Sequence, residues 1–145
     1  MKVIFNEVND LDLRILVGLN KSVEKVQRKL NEDIRKKGMT TPQFNVLKTL
    51  YRLENMRVCE IIQKTFSTGG NMTVIIDNLH KLGYIKKTCC PDDKRSTLIN
   101  ITKSGREKVE EIFPEYLKTL EEILKSFTED EKKTFEILIN KLERV

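Results

Sequence analysis

One segment constrains the fold of this chain more than any other, residues 86–105 with the sequence KKTCCPDDKRSTLINITKSG. Two short runs with strand character, 84–89 and 97–101, flank a polar tip. Hydrophobic and polar residues alternate in the second run and turn-forming residues lie between the two runs, which predicts a β-hairpin. The helix before the hairpin is predicted to end at Gly83. The chain must therefore place a helix end and a basic hairpin side by side.

Helical periodicity covers most of the remaining sequence, and a hydrophobic content of 39% over 145 residues is enough for one domain with a core. Apolar spacing and capping signals predict helices at about 11–36, 41–53, 57–64, 68–82, 102–127 and 128–142. Thr41 is expected to cap the second helix, and Pro114 is expected to kink the fifth. The predicted fold class is mainly α with a small β-hairpin wing, a winged helix-turn-helix with dimerisation helices at both ends.

The positive charge is concentrated around the hairpin. The net charge of the chain is +5, and residues 81–108 hold eight cations against three anions, so the rest of the chain balances. A basic patch on an otherwise balanced surface indicates a partner that carries phosphate. Residues 110–145 hold six cations and ten anions, so this end is unsuited to phosphate.

The fourth helix supplies a second candidate surface. On a helical wheel its core side is predicted to hold Met72, Ile75, Ile76, Leu79 and Leu82. The opposite side carries glycine and short polar residues, which let a helix approach base edges in the major groove of double-stranded DNA. The candidate DNA-binding residues, from this helix and the hairpin, are Thr68, Gly70, Asn71, Thr73, Val74, Asn78, Lys86, Lys87, Asp93, Lys94 and Arg95.

Both ends of the chain are predicted to form a homodimer interface. Apolar residues of the first helix follow each other at spacings of three and four, which is a heptad seam. The candidate interface residues are Leu16, Val23, Leu30, Phe135, Leu138 and Leu142. On this division, residues 1–37 and 106–145 are dimerisation helices, and residues 40–105 form the DNA-binding region.

Three segments, TPQFNVLKTL, GNMTVIIDNLHKLGYIKK and PDDKRSTLINITKSG, resemble the multiple antibiotic resistance regulator (MarR) family of transcription factors. The resemblance implies a homodimer whose end helices interlock over a palindromic operator. It also implies a recognition helix in the major groove, with Thr73 and Val74 facing bases. At the tip of the wing, Asp93 would brace the turn and Arg95 would enter the minor groove.

The resemblance further implies repression relieved by a small effector, for which phenolic or aromatic compounds are the expected class. The candidate pocket residues are Leu11, Ile15, Leu19, Phe44, Leu47 and Tyr51. The alternative is thiol-based redox sensing by Cys89 and Cys90, whose neighbouring lysines could lower a thiol pKa. Cys59 has apolar neighbours and is expected to be buried and inert.

Other classes of function have less support in the sequence. One histidine is too few for a metal site beside these cysteines, and no nucleophile–base pair or phosphate loop indicates an enzyme or a cofactor. A winged-helix protein-interaction module without DNA binding would not need the basic excess at the hairpin. No apolar run approaches membrane-span length and residues 1–10 lack a signal-peptide pattern, so we expect a cytoplasmic protein with no membrane partner.

Overall fold

The structure, a computed structural model, describes residues 7–65, 69–93 and 96–145. Over these residues the chain forms six helices and three short strands, and the predicted fold class is confirmed. The helices are α1 (Glu7–Lys36), α2 (Thr41–Leu53), α3 (Val58–Thr65), α4 (Gly69–Lys81), α5 (Lys103–Leu124) and α6 (Glu129–Leu142). The strands are β1 (Met56–Arg57), β2 (Ile85–Cys89) and β3 (Thr97–Ile101).

Side-chain caps set the helix boundaries. The N-cap of α2 is Thr40 rather than the predicted Thr41, because the Thr40 hydroxyl accepts from the Gln43 N–H and the Gln43 side chain accepts from the Thr40 N–H. The Thr41 hydroxyl instead donates to Asn31 of α1 at 2.6 Å. Gly38 ends α1 with φ +75°, a conformation that favours glycine.

The sheet is antiparallel with the order β1-β3-β2. The predicted hairpin is present, with Ile85 opposite Ile101 and Cys89 opposite Thr97. The sequence did not predict β1, and Arg57 was assigned to the next helix. Two residues are too few to show the alternation that identifies a strand, and β1 exists because Met56 pairs with Ile99.

The core lies where α2, α3, α4 and α5 meet the sheet. Two side chains are exposed although the apolar pattern predicts burial: Leu82 on the core side of α4 and Tyr51 on the buried side of α2. Leu82 lies past the last residue of α4 and is 55% exposed, because the chain turns at Gly83 with φ +75°. Tyr51 lies at the rim of α2, where its hydroxyl donates to Glu110 of α5 at 2.9 Å.

Of the last two helices, α5 contributes Val109 and Ile112 to this core. The helix α5 continues through Pro114 and ends at Leu124, three residues before the predicted end. A Thr128–Glu131 capping box starts α6, as predicted, and none of the residues of α6 is buried. In the described part of the chain, no helix is long and apolar enough to cross a bilayer.

A single junction holds α4, the hairpin and α5 together. The Thr102 hydroxyl donates to the Gly83 carbonyl at 2.7 Å and accepts from the Gly105 N–H at 3.1 Å, while the Thr102 N–H donates to the Tyr84 carbonyl at 3.0 Å. Gly105 packs so closely on Tyr84 that a Cβ at this position would overlap the Tyr84 carbonyl oxygen. Position 105 therefore requires glycine because of space.

We expect Gly105→Ala to lower the free energy of unfolding by about 2 kcal/mol or more, because the methyl group would push α5 away from the backbone of Tyr84. Gly70→Ala is the matched control, since nothing lies within 4 Å of a Cβ at Gly70. Its effect should stay within about 0.5 kcal/mol. Urea unfolding followed by circular dichroism measures both. Equal stability of the two variants would contradict the close packing at this junction.

Candidate nucleic-acid interface

The exposed face of α4 carries the residues of this helix that the sequence analysis predicted to contact DNA. Met72, Ile75, Ile76 and Leu79 are buried and fix the orientation of the helix. As a result, one continuous exposed stripe holds Gly70, Asn71, Thr73, Val74 and Asn78. Val74, a large apolar side chain, is 56% exposed. Thr68, the predicted cap of this helix, lies outside the described residues.

The hairpin begins close to this helix because β2 follows α4 after the turn at Gly83. Asp93 organises the described part of the tip: its carbonyl accepts from the Ser96 N–H at 2.9 Å, and its carboxylate accepts from the Ser96 hydroxyl at 2.7 Å. The proposed bracing role of Asp93 remains a prediction. Lys94 and Arg95 lie outside the described residues.

The two lysines of β2 differ in their surroundings. Lys86 is exposed and makes no ion pair within the part of the chain that the structure describes. Lys87 instead pairs with Asp77 of α4, with 2.5 Å between Nζ and Oδ1. This hydrogen bond from Lys87 lowers the pKa of the Asp77 carboxyl. The pair links the exposed face of α4 to the hairpin.

Carboxylates within the chain already neutralise part of the basic excess. Arg106 pairs with Glu54 of α2, and Lys108 pairs with Glu111 at 2.9 Å. Lys103 lies 3.8 Å from Glu107 at the start of α5. Counting charges along the sequence could not reveal these pairs. Among the cations near the hairpin, Lys86 thus offers a charge that no described carboxylate neutralises.

Comparisons with known proteins agree with this geometry. The model of the MarR family matches residues 39–97, the span from the end of the α1–α2 turn to the first residue of β3. The HTH-type transcriptional regulator PrsX of Escherichia coli is 30% identical over 132 residues. The match covers 90% of this chain and 78% of PrsX. The chain belongs to the MarR family.

Two further relatives support membership of the MarR family. The HTH-type transcriptional regulator MhqR of Bacillus subtilis is 25% identical over 124 residues, covering 86% of each chain. A mutant of MarR from E. coli, crystallised with operator DNA, is 27% identical and superposes with a TM-score of 0.80, covering 97% of this chain and 99% of the other. The predicted family is confirmed, and with it the class of HTH-type transcriptional regulators.

The cysteines of this MarR-family chain lie in three different environments. Cys59 is exposed, so its predicted burial is wrong: it lies two residues before the buried Ile61, on the other side of α3. Cys89 is exposed, whereas Cys90 is buried. A hydrogen bond from the Asp92 N–H, followed by one from the Arg57 guanidinium 3.5 Å from Sγ, lowers the pKa of the Cys90 thiol. The lowered pKa is therefore due to these donors and not to Lys86 or Lys87.

The candidate dimer residues are mostly available on the surface. Leu16, Val23, Phe135, Leu138 and Leu142 are each exposed by 45–54%. Leu30 differs, since it is buried within the same chain. The rings of Phe127 and Phe135 stack with centroids 6.1 Å apart and begin an apolar stripe along α6.

The six candidate pocket residues do not come together in the structure. Phe44 and Leu47 are completely buried in the core, Leu11 and Ile15 are more than half exposed on α1, and Leu19 is half-buried. Tyr51 alone of the six lines a described cavity, which lies between α2 and α5 and has a volume of about 530 Å³. Its lining residues are Lys48, Tyr51, Arg52, Val109, Glu110, Phe113, Pro114 and Leu117.

The cavity between α2 and α5 combines an apolar wall with charged groups at its rim. Val109, Phe113 and Leu117 of α5 form the wall. Lys48 and Arg52 of α2 supply cations, and the Lys48 ammonium lies 5.1 Å from the centre of the Tyr116 ring. Within the described residues, no group of three or more His, Cys, Asp or Glu side chains is arranged to bind a metal ion.

Proposed function

We propose that this chain is a homodimeric transcriptional repressor that binds a palindromic site in double-stranded DNA and is released by a small ligand. The observation that carries the proposal is the exposed stripe of α4 beside the basic hairpin. The stripe presents Asn71, Thr73 and Val74 to solvent. Asparagine reads adenine edges, and threonine and valine methyl groups contact the thymine methyl group. The related E. coli MarR structure contains operator DNA, which supports the same use here.

The hairpin provides the sequence-independent part of this binding. Lys86 projects from β2 into solvent, and the sequence adds Lys94 and Arg95 between the two strands of the same hairpin. Contacts from cations to phosphate release counterions, so they make affinity fall as salt rises. Arg95, whose place is not described, remains the residue predicted to enter the minor groove. The acidic end of the chain stays away from phosphate in this arrangement.

We expect Lys86→Gln to weaken binding to the DNA upstream of the chain's own gene and to lower the slope of log affinity against log salt by about one, because one phosphate contact is lost. An electrophoretic shift with a salt series measures it. Lys118→Gln is the control, since this exposed lysine of α5 lies outside the proposed interface. If wild-type protein binds no DNA while retaining its fold, the protein-interaction alternative replaces the proposal.

The homodimer part of the proposal is based on apolar surface at the two ends of the chain. The helix α6 buries none of its residues, and the first half of α1 is exposed. Apolar helix faces of this extent are stable in water when a second surface covers them. A second copy of the chain offers the same two faces, so a two-fold arrangement covers both at once.

We expect Leu138→Glu to raise the dimer dissociation constant at least about a hundredfold, because a two-fold interface loses two buried leucines and gains two charges. Sedimentation over a concentration series measures the change. Lys133→Glu on the same helix adds an acidic side chain at an exposed polar position and should leave the dimer intact. A wild-type protein that is monomeric at micromolar concentration would contradict the dimer.

The cavity between α2 and α5 is the site that we assign to the effector. Its volume of about 530 Å³ falls within the range of small-molecule sites. The wall of Val109, Phe113 and Leu117 suits an aromatic ring, and Lys48 and Arg52 suit a phenolate or carboxylate. A ligand here would contact both α2, which belongs to the DNA-binding region, and α5, which leads to the end of the chain. It could therefore change the spacing of two recognition helices.

We expect salicylate to release DNA from the wild-type complex and to lose this effect in Leu117→Trp, whose ring would fill the cavity. A tenfold change in DNA affinity requires about 1.4 kcal/mol of ligand preference for the released state. Val145→Trp, at a fully exposed position that lines no described cavity, is the control. Thiol oxidants could instead release DNA from the wild-type protein but not from Cys90→Ser, while salicylate releases DNA from neither protein. In that case redox sensing at Cys90 replaces the ligand proposal.

A further inference from the structure

The Asp77 carboxylate lies on the same face of α4 as the residues proposed to read bases. It follows Val74 by three residues and Thr73 by four, which places all three on one helical stripe. Its side chain is 47% exposed, so it faces solvent rather than the core. A carboxylate in this position adds negative charge to a surface that is otherwise suited to DNA.

Lys87 neutralises this carboxylate from the neighbouring strand. The ammonium of Lys87 and the carboxylate of Asp77 are 2.5 Å apart, and the lysine side chain is 34% exposed. Its strand position fixes this direction: Lys87 lies opposite the buried Ile99, so its side chain leaves the sheet on the side of the core and α4. Lys86, one residue earlier, leaves the sheet on the other side and makes no such pair within the described residues.

The pair lowers the positive charge that this surface offers to DNA. A free Lys87 would add one phosphate contact, which strengthens binding to every sequence equally. Held by Asp77, the same lysine contributes no net charge at the interface. An exposed ion pair stabilises a fold only weakly, so the pair has little use as a stabilising element. Its location between the recognition helix and the wing gives it a role in binding instead.

We propose that Asp77 is a positioning residue that keeps Lys87 away from the DNA backbone and thereby limits the sequence-independent affinity of the protein. The inference depends on the proposed function, because it concerns the same DNA-binding surface. With one backbone contact withheld, a larger share of the binding free energy comes from base contacts along α4. The protein then leaves unrelated DNA more readily.

Binding to a mixed-sequence duplex, followed by fluorescence anisotropy from about 0.05 to 0.5 M salt, tests the inference. Asp77→Asn should bind roughly five- to tenfold tighter at 0.1 M salt, and its slope of log affinity against log salt should be steeper by about one. The double variant Asp77→Asn/Lys87→Gln removes both charges and should return to the wild-type slope. Asp77→Ala gives a second variant with the same expectation as Asp77→Asn. Glu122→Gln, which removes an exposed carboxylate far along α5, should change neither quantity.

Two results would overturn the inference. One is an unchanged slope and affinity in both Asp77→Asn and Asp77→Ala. The other is a double variant whose slope is shallower than that of wild type by about one, which would show that Lys87 already contacts phosphate. Failure of the wild-type protein to bind both this duplex and its own upstream DNA would instead contradict the proposed function. The two failures are therefore distinguishable.

Discussion

The hydroxyl of Thr102 joins the three elements on which the candidate interface depends. It donates to the carbonyl of Gly83, which ends α4, and accepts from the N–H of Gly105 in the first turn of α5. The backbone of Thr102 also bonds to Tyr84, at the start of the hairpin. Since Gly105 leaves no space for a side chain, α5 fits against this turn in one position. This junction therefore holds the end of α4, the start of the hairpin and the first turn of α5 against one another.

Charge and apolar surface divide the remaining chain between two tasks. Near the hairpin, Arg106 and Lys108 form ion pairs with carboxylates within the chain, while Lys86 stays exposed to solvent. At the far end, α6 is acidic in its first turn and buries none of its side chains. One region of this MarR-family chain is therefore suited to phosphate and the other to a second apolar helix. The cavity between α2 and α5 lies between these regions, where a ligand could connect them.

Local signals in the sequence predicted most of the fold. The hairpin, Gly83 and the Thr128 capping box follow from residues that are neighbours along the chain. Two of the errors arose where distant residues decide. Tyr51 extends the apolar pattern of α2, yet it lies at the rim because its hydroxyl reaches Glu110, 59 positions away. The strand β1 exists only through its pairing with β3.

The candidate site was predictable in part for the same reason. The exposed stripe of α4 follows from helical periodicity, and Thr73 and Val74 lie on the exposed side that the helical wheel predicted. Ion pairs between elements leave no trace in a charge count, so the partner of Lys87 could not be identified. Phe44 and Leu47 were assigned to a pocket, but the sequence pattern of a cavity wall is that of a core, and both residues fill the core.

In the proposed dimer, two copies of α4 and the hairpin bind one DNA site together. Hydroxyl-radical footprinting of the upstream DNA tests this joint binding directly, because it maps the protected backbone at single-nucleotide resolution. For a two-fold dimer we expect two protected patches of equal size on one face of the duplex. They should be related by a two-fold axis, with their centres about 10 bp or a multiple of this apart. A single protected patch, or uniform protection without a two-fold axis, would contradict this joint binding.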